Sequence, residues 1–236
     1  MRSLPGEFAM NAMALRGAFA ALLLCAPAAS AATTAKMAPV DRYMMARDAE
    51  IALAKSAAPP SISDKATVLV LTPRGYETAV EGSNGFVCLV ERAWLAEFVN
   101  PIFWNPAVRG PDCLNPAAAR SVLPHDVERA KWVLAGLSIP QMIERTKAEL
   151  AAKAYAMPEP GAMSFMLSKE QKLGSQGTHW HPHLMFFVAT ANDADMGAGL
   201  PGSPVLHPYP AAPDAYGTFL VPVGTWSDGT PAMEMH

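Results

Sequence analysis

Apolar residues recur along the chain with two periods, which predict strands toward both ends of the mature sequence and helices between them. Alternating or continuous apolar runs predict strands at 66–72, 76–81, 86–91, 162–168, 179–188 and 218–223. The pair Asn84-Gly85 favours a tight hairpin between the second and third strands, because both residues tolerate a positive φ. The first and third strands are apolar on both faces, so we expect both sides of the sheet to be covered.

Helical spacing of apolar residues, together with capping residues, predicts the helices. They span 41–56, 116–121, 125–135 and 139–155. Asp41 would cap the first, Asn115-Pro116 opens the second, and Ser138 and Gln141 form a capping box before the fourth. Because strands and helices are segregated, we expect an α+β fold. An antiparallel β-meander and the C-terminal strands would form one sheet or barrel-like core, with a helical middle segment.

The N-terminus has the three parts of a secretory signal peptide. Arg16 precedes the apolar run 17–26, and Ala29-Ser30-Ala31 supplies an A-x-A cleavage pattern. The apolar run is short for a membrane span, so we expect cleavage after Ala31 and a periplasmic or secreted mature protein. Translation would begin at one of three methionines: Met1, Met10 or Met13.

The predicted organisation is a signal peptide over 1–31, a tether over 32–40, a single α+β domain over 41–230 and a flexible tail over 231–236. The mature chain is long enough for one well-cored domain. No later apolar run reaches transmembrane length. A formal net charge of −3 and the absence of any basic run argue against a nucleic-acid partner or an anionic membrane surface.

Two cysteines remain after removal of the leader, Cys88 and Cys113. In an exported protein such a pair usually forms a disulfide, which in the chain-entropy model stabilises the fold by about 3 kcal/mol. The alternative is two free thiols, one of them a metal ligand or a nucleophile.

Three histidines, His179, His181 and His183, fall within five residues just before an apolar run. On a strand, alternate residues face the same way about 7 Å apart, so one adjacent pair could converge on an ion. The ion would be a divalent transition metal: zinc, copper, iron or manganese. His207 is the favoured distant ligand, and the other candidates are His125, Asp193 and Asp195.

Two alternatives to metal binding stay open for these histidines. One is a metal-free polar pocket in which an imidazole acts as acid, base or hydrogen-bond donor. The other is a structural role, with the imidazoles satisfied by backbone groups at a strand end. The pair His179 and His181 after a glycine-containing turn, followed by His207, partly resembles the cupin metal site. Met185 stands where that family has a glutamate, and we assign no family on this basis.

A long irregular segment, 93–115, carries the large side chains Trp94, Phe98, Phe103 and Trp104. We expect these aromatics to hold the segment against the domain as a packed flap. It would either cover the core or form a ligand-binding wall that includes Arg109. Further candidates for ligand contacts are Trp180, Asp193 and Asp195.

These features together predict an exported protein with a histidine-lined site for a metal ion or a small ligand. If it is an enzyme, metal-assisted hydrolysis or oxidation is the expected class, with Asp193 or Asp195 handling protons. The alternative is a non-catalytic envelope protein that binds a protein partner through the aromatic flap, residues 94–104.

Overall fold

Seven strands are found in the part of the chain that the computed structural model describes, residues 36–174, 176–210 and 213–232. They are β1 (Thr67–Thr72), β2 (Gly75–Val80), β3 (Val87–Glu91), β4 (Gly110–Leu114), β5 (Met163–Met166), β6 (His183–Val188) and β7 (Gly217–Pro222). The predicted signal peptide, tether residues 32–35 and tail residues 233–236 lie outside the described residues.

The strands form one mixed sheet in the order β2-β1-β3-β4-β5-β6-β7. Neighbours are antiparallel except β1 and β3, which are parallel. The α+β class is confirmed, but the predicted hairpin between β2 and β3 is wrong. The connection instead crosses the start of β1, where Ser83 N donates to Lys65 O at 2.8 Å and the Asn84 amide donates to Ile62 O at 2.8 Å. Of the expected turn pair, only Gly85 has a positive φ.

Six α-helices occur within the described ranges, and α1, α3 and α4 contact the strands of the sheet. They are α1 (Arg47–Lys55), α2 (Pro60–Ser63), α3 (Pro116–Ser121), α4 (Leu123–Leu134), α5 (Ile139–Ala151) and α6 (Asp193–Met196). Short 3₁₀ turns occur at Val40–Tyr43 and Ala93–Leu95. None of the described helices is long and apolar enough to cross a membrane.

Local capping signals placed the middle helices correctly. The Asn115 side chain accepts from Ala118 N at 2.9 Å and begins α3. The predicted capping box before α5 is present, with Ser138 N donating to the Gln141 side chain at 2.9 Å. Gly136, in the left-handed region, follows the end of α4.

The first predicted helix is wrong at its start, because α1 begins only at Arg47 and Asp41 lies in a separate 3₁₀ turn. Tyr43 is responsible for the break. Its hydroxyl donates to Trp104 O at 2.8 Å, and its carbonyl accepts from Arg92 Nε at 2.7 Å. These tertiary contacts use backbone and side-chain groups that a continuous helix would orient differently.

Each face of the sheet carries its own apolar cluster, as the two-sided strands predicted. Helix α1 packs against β1, β3 and β4 over a cluster that includes Leu53, Val68 and Val90. Helix α4 and the aromatic flap cover the other face over a larger cluster that includes Leu89 and Leu114. The candidate site lies on this second side.

Strand β4 was missed by the sequence reasoning, which treated the whole of 93–115 as irregular. Its sequence contains Pro111, which normally disfavours an interior strand. The β4–β5 ladder covers only Cys113 and Leu114, so Pro111 lies beyond the point where pairing to β5 ends. Cys113 stands directly opposite Cys88 in the β3–β4 register, and the predicted disulfide between them is present.

A fully buried ion pair connects helix α1 to the end of strand β3. Arg92 Nη2 lies 2.8 Å from Glu50 Oε1, and both side chains are inaccessible to solvent. The same Glu50 oxygen accepts from Leu71 N at 3.0 Å. Arg92 also donates to the carbonyls of Tyr43 and Val90. Helix α1, strand β1 and the end of β3 are therefore fixed to one another through two side chains.

Replacing Glu50 with Gln is expected to destabilise the protein by about 3–5 kcal/mol, because it leaves the Arg92 charge buried without a counter-ion. Guanidinium chloride unfolding measures the change. Glu77→Gln, which disrupts the exposed pair with Arg74, should leave the midpoint nearly unchanged. The double variant Glu50→Leu/Arg92→Met should recover much of the loss. An unchanged unfolding midpoint in Glu50→Gln would show that the ion pair does not make this contribution to stability.

Candidate functional site

A cavity of about 650 Å³ lies on the α4 side of the sheet. Its walls come from the ends of β3 and β5, from β6, from α4, from the flap and from the loop 189–216. This volume is in the range of pockets that enclose small organic ligands.

One wall of the cavity is apolar and rich in aromatic and methionine side chains. Strand β6 directs Met185 and Phe187 into it, because alternate residues of a strand share a face. The register places Met166 opposite His183, and the Phe187 ring meets Tyr216 at 5.7 Å. Trp180 completes this wall just before β6 begins. Such a surface suits an apolar or aromatic molecule.

Another part of the cavity lining is acidic. Glu91 at the end of β3 and Asp126 on α4 line it, and Asp112 on β4 lies behind Glu91. Leu89 stands opposite Asp112 in the ladder, so Asp112 and Glu91 are diagonal neighbours on one face. Asp112 is only 1% exposed, interacts with Glu91 and Ser164, and has no ion-pair partner among the described residues. Asp126 Oδ1 accepts from the Tyr216 hydroxyl at 3.3 Å.

Burial dominates the protonation of these carboxyls. Desolvation raises the pKa of Asp126 to about 7 despite the opposing effect of Arg129. Desolvation also raises the pKa of Asp112 to about 7. The pKa of Glu91 is raised well above its ordinary value, by burial first and by the Asp112 charge second. Asp112 and Asp126 therefore hold exchangeable protons near neutral pH, and burial favours the protonated form of Glu91.

The cationic group nearest Asp126, Arg129, is already committed to the protein. Its Nη2 lies 2.7 Å from Asp214 Oδ1, and its Nη1 donates to Ala96 O at 3.0 Å. Its guanidinium stands 4.1 Å from the centre of the Phe98 ring. Arg129 thus ties α4 to the flap and to the 189–216 loop and closes one side of the cavity.

His183 is the one of the three clustered histidines that lines the cavity, and it is 1% exposed. Its Nδ1 donates to the carbonyl of His181 at 2.9 Å, which leaves Nε2 as the lone-pair acceptor. The ring packs against Trp180 with centroids 4.4 Å apart. Desolvation lowers the pKa of His183 to about 4, so the ring is neutral at physiological pH.

Of the other predicted metal ligands, His207 lines the same cavity as His183, whereas His179 and His181 do not. Strand β6 begins only at His183, so the expected strand geometry of His179 and His181 is wrong. The imidazole of His179 hydrogen-bonds to Lys169 O and packs on Trp226. His207 Nδ1 pairs with Asp193 Oδ1 at 2.6 Å.

Asp195 accepts from the Asn192 amide at 2.7 Å, and His125 packs between Tyr155 and Tyr216. No group of three His, Cys, Asp or Glu residues suited to a metal ion occurs within the described ranges. The metal site stays a prediction.

The flap covers the core and also forms a cavity wall. Trp94, Phe98 and Phe103 are buried, while Leu95 and Ile102 line the cavity. Arg109 does not line it. Its guanidinium donates to the carbonyls of Pro106, Val108 and Arg42, which holds the flap against the N-terminal segment. Of the predicted ligand contacts, Trp180 is at the cavity, whereas Arg109, Asp193 and Asp195 are not among its lining residues.

The three buried carboxyls were missed by the sequence reasoning. One signal was present, because Asp126 is at helical spacing from Ala130 and Val133 and so falls on the buried face of α4. Glu91 also ends a strand that is apolar on both faces. For Asp112 no signal existed once β4 had been overlooked.

The comparisons with known proteins found no match: no family model, no curated protein and no solved structure is similar to this chain. The site must therefore be interpreted from its own geometry.

Asp126→Asn is expected to remove a pH dependence of stability. Because the pKa of Asp126 rises from 3.8 to about 7 on folding, the native state holds a proton that the unfolded state releases. The resulting stability is complete below about pH 4 and is lost as pH rises through about 7. Between pH 5 and pH 8 the variant should gain about 3 kcal/mol relative to the wild type. Denaturant unfolding at both pH values measures this, and parallel pH profiles would contradict it.

His183 is expected to stay neutral, as the Nδ1–H tautomer, down to about pH 4, since its ring is desolvated and packed on Trp180. Nitrogen-15 chemical shifts of the imidazole, followed from pH 8 to pH 4, report both the tautomer and the protonation. A protonation midpoint above about pH 6, near the ordinary value for histidine, would refute this assignment.

Proposed function

We propose that the protein binds a small, partly apolar organic molecule in the cavity between α4, the flap and strand β6. The observation that carries the proposal is the cavity itself, which sets an aromatic and methionine wall against carboxyls that have no basic partner. Perturbed titratable groups around an apolar pocket are the usual physical signature of a binding or active site.

The polar groups of the cavity also support proton transfer to or from a bound molecule. A general acid or base works best when its pKa is close to the working pH. Asp126 meets this condition, and the neutral His183 presents an acceptor nitrogen on the other side of the same cavity. We therefore place any chemistry at Glu91, Asp126 and His183.

We further propose that the protein works in an exported compartment. Support comes from the disulfide between Cys88 and Cys113, since such bonds form and persist in oxidising environments. The predicted signal peptide agrees with this location.

A screen of small, partly apolar molecules by protein-observed NMR tests the binding proposal. Molecules that bind should compete with one another and should shift the indole resonance of Trp180 and the methyl resonances of Met166 and Met185. Filling the cavity with Leu173→Trp should abolish these responses, because Leu173 lines it.

The matched control for the filled cavity is Leu200→Trp, at an exposed position that does not line the cavity. It should bind like the wild type. Should Leu173→Trp fail to fold, Leu220→Phe offers a smaller change at another lining residue. Binding that survives in folded cavity-filling variants, or a screen in which no molecule shifts the cavity resonances, would refute the proposed function.

A further inference from the structure

The charges around the cavity do not balance. Four lining residues are acidic, Glu91, Glu97, Asp126 and Asp214, and two carry a fixed positive charge, Arg92 and Arg129. Arg92 is paired with Glu50, Arg129 with Asp214, and the lining His207 with Asp193. Among the described residues, Glu91, Glu97 and Asp126 have no ion-pair partner.

Asp112 extends this imbalance. It is almost fully buried beside Glu91, and it interacts with Glu91 and Ser164 but has no ion-pair partner within the described ranges. Two neighbouring buried carboxyls without a cation are strongly disfavoured when ionised, so they must either keep a proton or lie next to a positive charge. No side chain among the described residues pairs with them, whereas the adjoining cavity has room for a ligand that carries such a charge.

We propose, on the basis of the proposed function, that the ligand of this cavity is an organic cation whose alkylammonium group lies against Glu91 and Asp126. Its apolar part would lie along Trp180, Met185 and Phe187. An ammonium group can donate up to three hydrogen bonds, which suits a site that presents carboxyl oxygens from two directions. The aromatic rings nearby favour a cation as well.

An anionic ligand fits the same cavity poorly. It would meet Glu91, Glu97 and Asp126, and the cationic group facing it, Arg129, already pairs with Asp214 and donates to Ala96 O. Neutral His183 adds an acceptor rather than a positive charge. A neutral alcohol could hydrogen-bond to the carboxyls, but it would not favour their ionised form.

Binding of a cation would therefore be linked to proton release. The groups that face Glu91 and Asp126 are Asp112, Glu97, Asp214, Tyr216, Arg129 and Arg92. Because burial raises the pKa of Asp126 and Asp112 to about 7, both are largely protonated below that pH. The cation favours the ionised carboxylates, so its affinity should increase as pH rises through 7. An alkylammonium group, like that of lysine, keeps its own charge to about pH 10.

Three probes of similar size test the inference: 2-phenylethylamine, 2-phenylethanol and 3-phenylpropanoate. Isothermal titration calorimetry at pH 8 should show the amine binding at least about tenfold more tightly than the alcohol. This affinity ratio corresponds to the same free-energy difference as a shift of one pKa unit. The advantage should shrink to about threefold or less at pH 5.5. Titrations near pH 7 in buffers of different ionisation enthalpy should show net proton release with the amine and none with the alcohol.

The double variant Glu91→Gln/Asp126→Asn should lose both the preference for the amine and the proton release. Its matched control is Glu81→Gln/Asp48→Asn, which neutralises two exposed carboxyls outside the cavity lining and should retain both. If the first variant does not fold, the pH dependence and the proton release of the wild type still decide the question.

The outcomes separate the inference from the proposed function. Equal binding of amine and alcohol at both pH values, or tightest binding of the propanoate, would overturn the cation while leaving a ligand-binding cavity. Failure of all three probes would also overturn the cation, and the independent NMR screen would then decide whether the cavity binds small molecules at all.

Discussion

The buried ion pair between Glu50 and Arg92 is the constraint on which the geometry of the cavity depends. It fastens α1 to the end of β3, and it ties both to β1 and to the carbonyl of Tyr43. Glu91 is the last residue of β3 and Arg92 directly follows it, and both line the cavity. The pairing of Arg92 with Glu50 therefore fixes the strand end that presents Glu91 to the cavity.

Two ion pairs lie inside the fold among the described residues, which makes the unpaired acids informative. Glu50 pairs with Arg92, and Asp214 pairs with Arg129. Glu91, Asp112 and Asp126 have no such partner among the described residues, and their protonated forms make burial tolerable. Ionising them above neutral pH costs stability. Other buried charges form ion pairs, whereas the unpaired acids lie together at one cavity. This is the pattern expected of a functional site.

The sequence predicted those features that are decided locally and missed those decided by distant contacts. Caps at Asn115 and Ser138 and the apolar runs of the strands depend on near neighbours, so the helices and most strands were found. The parallel pairing of β1 with β3 depends on how the 81–86 connection packs against Lys65, which no local pattern reveals. The histidine cluster was predicted as a site because three histidines lie close together in the sequence. The carboxyl cluster joins β3, β4 and α4, and it becomes visible only when these elements are placed together.

Residues 91 and 92 show the consequence at the smallest scale. Both are ionisable and adjacent in sequence where β3 ends, and both line the cavity, yet their charges have different partners. Arg92 pairs with Glu50, so its charge has a counter-ion within the folded protein. Glu91 lies beside Asp112 and lines the cavity. Its carboxylate can be neutralised only by a proton or by a molecule that enters the cavity. Those two partners compete for the same oxygens, and this competition would couple occupancy of the cavity to the pH outside it.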